Sequence, residues 1–190
     1  MNALNQLRVA ILATDGFEET ELTSPLKALK DAGALVDIVS IKSGEIQGLQ
    51  HFDKGVRVTV DVKLIPEIEA NYDALVLPGG AMNADFLRTL PEVKNFVKAF
   101  DDSKRPIAFI CHAAWTLVSA DLVRNRKLTS YSTIQDDIRN AGGSWSDQAV
   151  VVDQNWVSSR KPDDLPAFNR EMIKLFSGAK RLDERERDVA

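Results

Sequence analysis

The chain has 190 residues, 44% of them hydrophobic, which is enough to fill one core and short for two. A net charge of −4 and an isoelectric point near 5.3 give no electrostatic footprint for specific nucleic-acid binding or for an anionic membrane. One cysteine excludes an intramolecular disulfide, and one cysteine with two histidines is a poor inventory for structural zinc, so neither a metal nor a cofactor is expected.

No apolar run approaches the length of a membrane-spanning helix. The first residues, Met1 to Leu7, lack the basic and apolar segments of a secretory signal, and a cytoplasmic protein is the expectation. Val9 to Ala13 reads as a short strand, closed by the turn residues Thr14-Asp15-Gly16. After the acidic stretch Phe17-Glu18-Glu19-Thr20-Glu21-Leu22, Thr23 or Ser24 caps a helix with Pro25 at its first position. Leu26, Leu29 and Ala32 give its buried stripe, and Gly33 its stop. Leu35 to Ile41 is a second buried strand, so the opening strand–helix–strand implies a parallel pair.

Gly44 to Gly55 reads as a loop or a pair of short edge strands, and Val56 to Val62 alternates as a strand with one wet face. Ala74-Leu75-Val76-Leu77 is a buried strand ending in Pro78-Gly79-Gly80. A short helix carries Phe86, Leu87 and Leu90, and a longer one after Pro91 carries Val93, Phe96, Val97 and Phe100. Pro106 then starts the strand Ile107 to Ile110, which stops abruptly at Cys111-His112. A helical pattern follows through Trp115, Leu117, Val118 and Leu122, and another through Ile134, Ile138 and Ala141. Ala149 to Val152 and Trp156-Val157 form a hairpin, and Pro162 opens a last helix with Asp163 and Asp164 as structural acids. Phe168, Met172, Leu175 and Phe176 are its buried face, and a charged tail spans residues 178–190. The sum is a single α/β domain, mostly parallel, with helices on both faces of the sheet and a core from about residue 8 to 177.

Ligands bind such sheets beyond the carboxyl ends of the strands. Three loops lie there: the carboxylates of Thr14 to Glu21, the glycines of Pro78 to Asp85, and the thiol of Cys111 to Trp115. A cysteine where a strand turns into a helix sits where α/β enzymes place a nucleophile, and a helix N-terminus lowers its pKa. The competing reading is a lone cysteine serving as a small buried hydrophobe. His112 meets Cys111 only if the backbone leaves strand geometry between them. Free amides at Gly79 and Gly80 could hold a developing oxyanion.

Ala74 to Gly80, Ile110-Cys111-His112, Val150 to Asp153, Ser158-Ser159-Arg160 and Asp164 to Phe168 together resemble the ThiJ/PfpI superfamily. The closest branch is the PfpI type of intracellular cysteine peptidases, general stress proteins and protein deglycases, and the likeness runs from about Arg8 to Phe176. The resemblance implies a flavodoxin-like three-layer sandwich, a nucleophile at a strained elbow, and a homodimer or higher homo-oligomer. By position it makes Cys111 the nucleophile, His112 its base, and Glu18 the acid that reaches the sulfur. The amides of Gly80 and His112 become oxyanion donors, with Gly79 and Ala113 beside them on the substrate-binding wall. Family members draw a third acid from a neighbouring subunit, and Asp85 is the nearest candidate, one residue beyond the family position.

Where the family continues Cys-His-Gly-Pro, this chain has Cys111-His112-Ala113-Ala114-Trp115, which is expected to narrow the site. Trp115 reads as packing, Glu19 and Glu21 as helix-start acids with Glu21 in reach of the site, and Asp136 and Asp137 as an exposed face. His51 has no partner in view. The implied activity is a stress-response thiol enzyme acting on small reactive carbonyls or the protein adducts they form, with peptide hydrolysis the other chemistry of the branch. Two readings of other kinds stand beside it: an oxidative-stress sensor based on Cys111, and a chaperone or scaffold.

Overall fold

The computed structural model describes residues 3–179; the charged tail from 180 onward lies outside the described residues. The first half comprises β1 (Arg8–Leu12), β2 (Phe17–Glu18), α1 (Glu19–Asp31), β3 (Leu35–Ser40), β4 (Glu45–Gln50), β5 (Asp53–Thr59) and β6 (Val62–Lys63). β7 (Ala74–Leu77), α2 (Ala81–Leu87), α3 (Pro91–Asp102), β8 (Ile107–Ile110) and α4 (Ala114–Ser119) carry the middle of the chain. The remainder is β9 (Lys127–Leu128), α5 (Gln135–Asn140), β10 (Ser144–Trp145), β11 (Val150–Asp153), β12 (Trp156–Ser159) and α6 (Leu165–Phe176).

Among the described residues the main sheet runs β11-β12-β8-β7-β1-β3-β6, parallel except for the β11–β12 hairpin. Its strands read as unbroken apolar runs because both faces are covered. Val9, Ile11, Val76, Ala108 and Ile110 meet Leu22 and Leu29 of α1 and Phe168, Met172 and Phe176 of α6. Ala10, Leu12, Leu75, Leu77, Ile107 and Phe109 meet α3, α4 and α5 through Phe96, Phe100, Leu117 and Ile138. Strand periodicity alone divides these residues between two cores. The result is the flavodoxin-like three-layer sandwich expected.

Several boundaries differ from the sequence reading. Helix α1 begins at Glu19, before Thr23-Ser24-Pro25, and Pro25 lies inside it. The early start follows from β2, whose pairing of Phe17 with Gly48 on β4 fixes the chain just upstream. Thr23 does not cap; its hydroxyl donates back to the Glu19 carbonyl at 2.9 Å. β4 and β5 form a true hairpin, so the strand expected from Val56 starts at Asp53 and ends before Val60. Helix α4 stops at Ser119, which leaves Leu122 in the following turn. No helix among the described residues is long and apolar enough to cross a membrane.

Candidate active site

β1, β7 and β8 are neighbours in the sheet, so the loops after them converge at one end of it. Asn83, which carries no recognisable motif, ties two of them together. Its Oδ1 accepts the Thr14 amide at 2.8 Å, and its Nδ2 donates to the carbonyls of Pro78 (3.1 Å) and Gly79 (3.0 Å). The signal available in the sequence was only a polar residue on the inner face of a short helix. A cavity of about 620 Å³ lined by Asp73, Pro106 and Asn155 opens at the opposite, amino-terminal ends of β7, β8 and β12.

Cys111 occupies the left-handed region, with φ of 63°. A non-glycine residue held there stores strain of order 1–3 kcal/mol. The departure from strand geometry turns Cys111 and His112 toward each other, with Nδ1 of His112 at 3.2 Å from the sulfur. Cys111 is 7% exposed as a residue and therefore nearly enclosed. The backbone amides of Gly80 and His112 face its sulfur and act to lower its pKa against the effect of burial. The donors expected for an oxyanion thus act on the sulfur itself.

The carboxyl beside the sulfur belongs to Glu21, not to Glu18. Because α1 starts at Glu19, Glu21 is the third residue of the helix and points inward, fully buried. Its Oε2 accepts the Gly79 amide at 3.1 Å, while Oε1 has no conventional hydrogen-bond partner. Glu18 points away and accepts the His51 amide at 3.1 Å. Glu19 holds β5 through the Val56 amide at 2.7 Å. His51 thus contributes a backbone contact at a hairpin turn.

Gly79 is the hinge of this packing. A Cβ there would lie 2.6 Å from Cys111 Cβ and collide with Glu21 Oε2. Gly80 has φ of 89°, and a Cβ on it would meet the Gly16 carbonyl and stand 2.6 Å from the Glu18 nitrogen. Ala113 does not join the site wall: it is 2% exposed and packs, with Ala114, into the core beneath. The side chains after His112 therefore fill the core and do not narrow the opening. Asp85 is exposed on α2 and makes no hydrogen bond or ion pair among the described residues, so within this chain it does not reach His112.

His112 is instead surrounded by neutral groups. Its ring stacks on Tyr131 (centroids 4.8 Å apart, 28° between planes) and meets Trp115 edge-on at 5.2 Å. Thr133 Oγ1 lies 3.5 Å from Nε2. Trp115 packs as expected, but it packs on the histidine, anchored by Asp137 at 2.7 Å and by Arg88 over its ring at 5.0 Å.

Burial raises the Glu21 carboxyl to about 8, so at pH 7 it holds its proton. Burial also pushes the Cys111 thiol up, and an ionised Glu21 would push it further. Only one negative charge fits this enclosure. A charge on sulfur meets two amides and the carboxyl O–H, whereas a charge on Glu21 meets one amide and a thiol, a weak donor. When the pair carries that charge, these donors place it on the sulfur beside a neutral carboxyl. Burial lowers the His112 pKa, which keeps its ring neutral and able to accept a proton. No group of three or more His, Cys, Asp or Glu side chains arranged to hold a metal is found among the described residues.

The DJ-1/PfpI family model matches residues 7–175. The chain belongs to the DJ-1/PfpI family. Deglycase TK1284 of Thermococcus kodakarensis is 44% identical over 170 residues, 90% of this chain and 99% of that protein. Protein/nucleic acid deglycase 2 of Escherichia coli K12 is 42% identical over 172 residues, 89% of this chain and 97% of that protein. Among solved structures, a two-domain protein with DJ-1/ThiJ/PfpI-like and ferritin-like domains from Anabaena variabilis superposes with a TM-score of 0.84 at 31% identity. That match covers 89% of this chain, which spans about half of the two-domain protein. A hydrolase or deglycase-type activity is supported at the family level by the names of these relatives.

Proposed function

We propose that the chain is a cytoplasmic, stress-responsive thiol enzyme that acts on small reactive carbonyls or on the adducts they form with proteins. The observation that carries this reading is the enclosure of Cys111 by two amide donors and the neutral carboxyl of Glu21, with an imidazole nitrogen 3.2 Å away. In it the sulfur of Cys111 attacks an aldehyde carbon. The S–C bond forms as the carbonyl π pair moves to oxygen, and the thiol proton passes through Nδ1 of His112 to that alkoxide, giving a hemithioacetal. The near-complete enclosure of the thiol favours a small aldehyde over an extended peptide. Assembly as a homodimer or larger homo-oligomer belongs to the same reading.

The test is consumption of methylglyoxal by purified protein. We expect Cys111→Ala to lower the rate at least about 100-fold, as loss of a nucleophile does. Equal rates in the two proteins would refute the reading. A sensor role has one observation in its favour: the same donors would hold the oxygens of a sulfinate, and no second cysteine exists to form an intramolecular disulfide. A stable gain of two oxygens on Cys111 after mild peroxide, without carbonyl turnover, would favour it.

A further inference from the structure

We propose that Asn83 is the positioning residue of the backbone donors at the thiol: its side-chain amide holds two successive peptides so that the Gly79 N–H faces Glu21 and the Gly80 N–H faces the Cys111 sulfur. This rests on the reading of Cys111 as a nucleophile. In a planar trans peptide the C=O and the following N–H point to opposite sides, so a group that holds the carbonyl also aims the amide. Asn83 Nδ2 donates to the Pro78 carbonyl at 3.1 Å and to the Gly79 carbonyl at 3.0 Å. The N–H groups that share those two peptides belong to Gly79 and Gly80. The first donates to Glu21 Oε2 at 3.1 Å, and the second faces the sulfur. One side chain thus sets the donor to each member of the thiol–carboxyl pair.

The Gly79–Gly80 peptide needs such a hold. It lies between two glycines, and Gly80 has φ of 89°, so no side chain of its own restricts its rotation. The Glu18 amide gives the Gly79 carbonyl a second donor at 3.3 Å. The Asn83 amide itself has one orientation: Oδ1 accepts the Thr14 amide at 2.8 Å, which leaves the nitrogen for the two carbonyls. Asn83 is 1% exposed, and a donor or acceptor left unmet there would carry the full cost of its burial. Asparagine is also a weak helix former, so its place near the start of α2 is explained by these contacts and not by the helix.

The experiment combines alkylation of Cys111 in folded protein with NMR of protein labelled with ¹⁵N in glycine and asparagine. We expect Asn83→Ala to slow alkylation at pH 7 by roughly 10- to 100-fold and to shift its pH profile upward, the scale of one hydrogen bond to a charged group. A role limited to tying the two loops together predicts the opposite sign, because looser packing would open a nearly enclosed thiol. By NMR, Cys111→Ala should move the Gly80 amide signal in the parent and leave it unmoved in the Asn83→Ala background, where that amide no longer faces the sulfur. A check without substitution at 83 covers the case in which Asn83→Ala fails to fold. There the Asn83 side-chain amide signals should shift together with Gly80 when Cys111→Ala removes the sulfur, because the peptide between them polarises as one unit. Alkylation as fast as in the parent, or faster, would overturn the proposal. So would Gly80 and Asn83 signals that do not respond to loss of the sulfur. Neither readout needs turnover, so failure of the carbonyl activity is separable from failure of this proposal.

Discussion

At the scale of single residues, the behaviour of the site turns on which carboxyl stands beside the sulfur. The chain offers Glu18, Glu19 and Glu21 within four positions, and family pattern alone points to Glu18. The choice is made by helix phase: starting α1 at Glu19 sends Glu18 to His51, Glu19 to Val56 and Glu21 into the core. Cys111 and His112 were legible from the abrupt end of an apolar strand; the phase of the helix opposite was not. Glu21 has consequences for stability as well. Its folded-state value of about 8 lies above the ordinary 4.5, so the folded chain binds the extra proton between those values. Stability from this group is therefore greatest below pH 4.5 and falls as pH rises toward 8, by at most about 1.4 kcal/mol per unit. We expect Glu21→Gln to gain stability relative to the parent between pH 5 and 7.5 in urea melts, and a constant difference across that range would contradict a neutral Glu21.

At the scale of elements, the site is where three strand ends and the α1 start are drawn too close for side chains. Gly79 is the clearest case, with Cys111 Cβ and Glu21 Oε2 where its own Cβ would be. Gly79→Ala should cost about 1–3 kcal/mol, as overpacking does, and should also separate the thiol from the carboxyl. Chemical melts and alkylation rates check both effects; a variant as stable and as reactive as the parent would show that the contact is slack. The sequence singled out this glycine pair for its free amides; that the missing side chains make room for Cys111, Glu21 and the Gly16 turn was not legible there. It misled at Thr23-Ser24-Pro25, whose local capping signal is overridden by β2 pairing with a strand about 30 residues away. Gly48 shows why that pairing is invisible locally: its missing Cβ makes room for the Phe17 ring.

At the scale of the whole molecule, the parallel sheet and its two cores were legible because strand runs with no polar break demand cover on both faces. What fastens the β11–β12 hairpin to that sheet was not. Arg126 is buried between Asp101 (3.1 Å) and Asp153 (2.7 Å), with its guanidinium 3.6 Å over the Trp156 ring, and Asp101 also accepts Trp156 Nε1 and Asn155 Nδ2. These residues are scattered through 55 positions and carry no motif. Removing one partner strands a buried charge, so Arg126→Ala should cost about 3–5 kcal/mol. The network gathers at the amino-terminal end of β12, away from Cys111, so kcat of the folded fraction should be unchanged. A stability loss below about 1 kcal/mol would mean that water reaches the network.

The most direct test of the activated thiol is the pH dependence of Cys111 alkylation in native protein, compared with Glu21→Ala and Glu18→Ala. We expect the midpoint to rise when Glu21 is lost and to stay unmoved when Glu18 is lost. A midpoint that falls on removing Glu21 would mean that an ionised carboxylate repels the thiolate. In that case Cys111 would be a suppressed thiol and not an activated one.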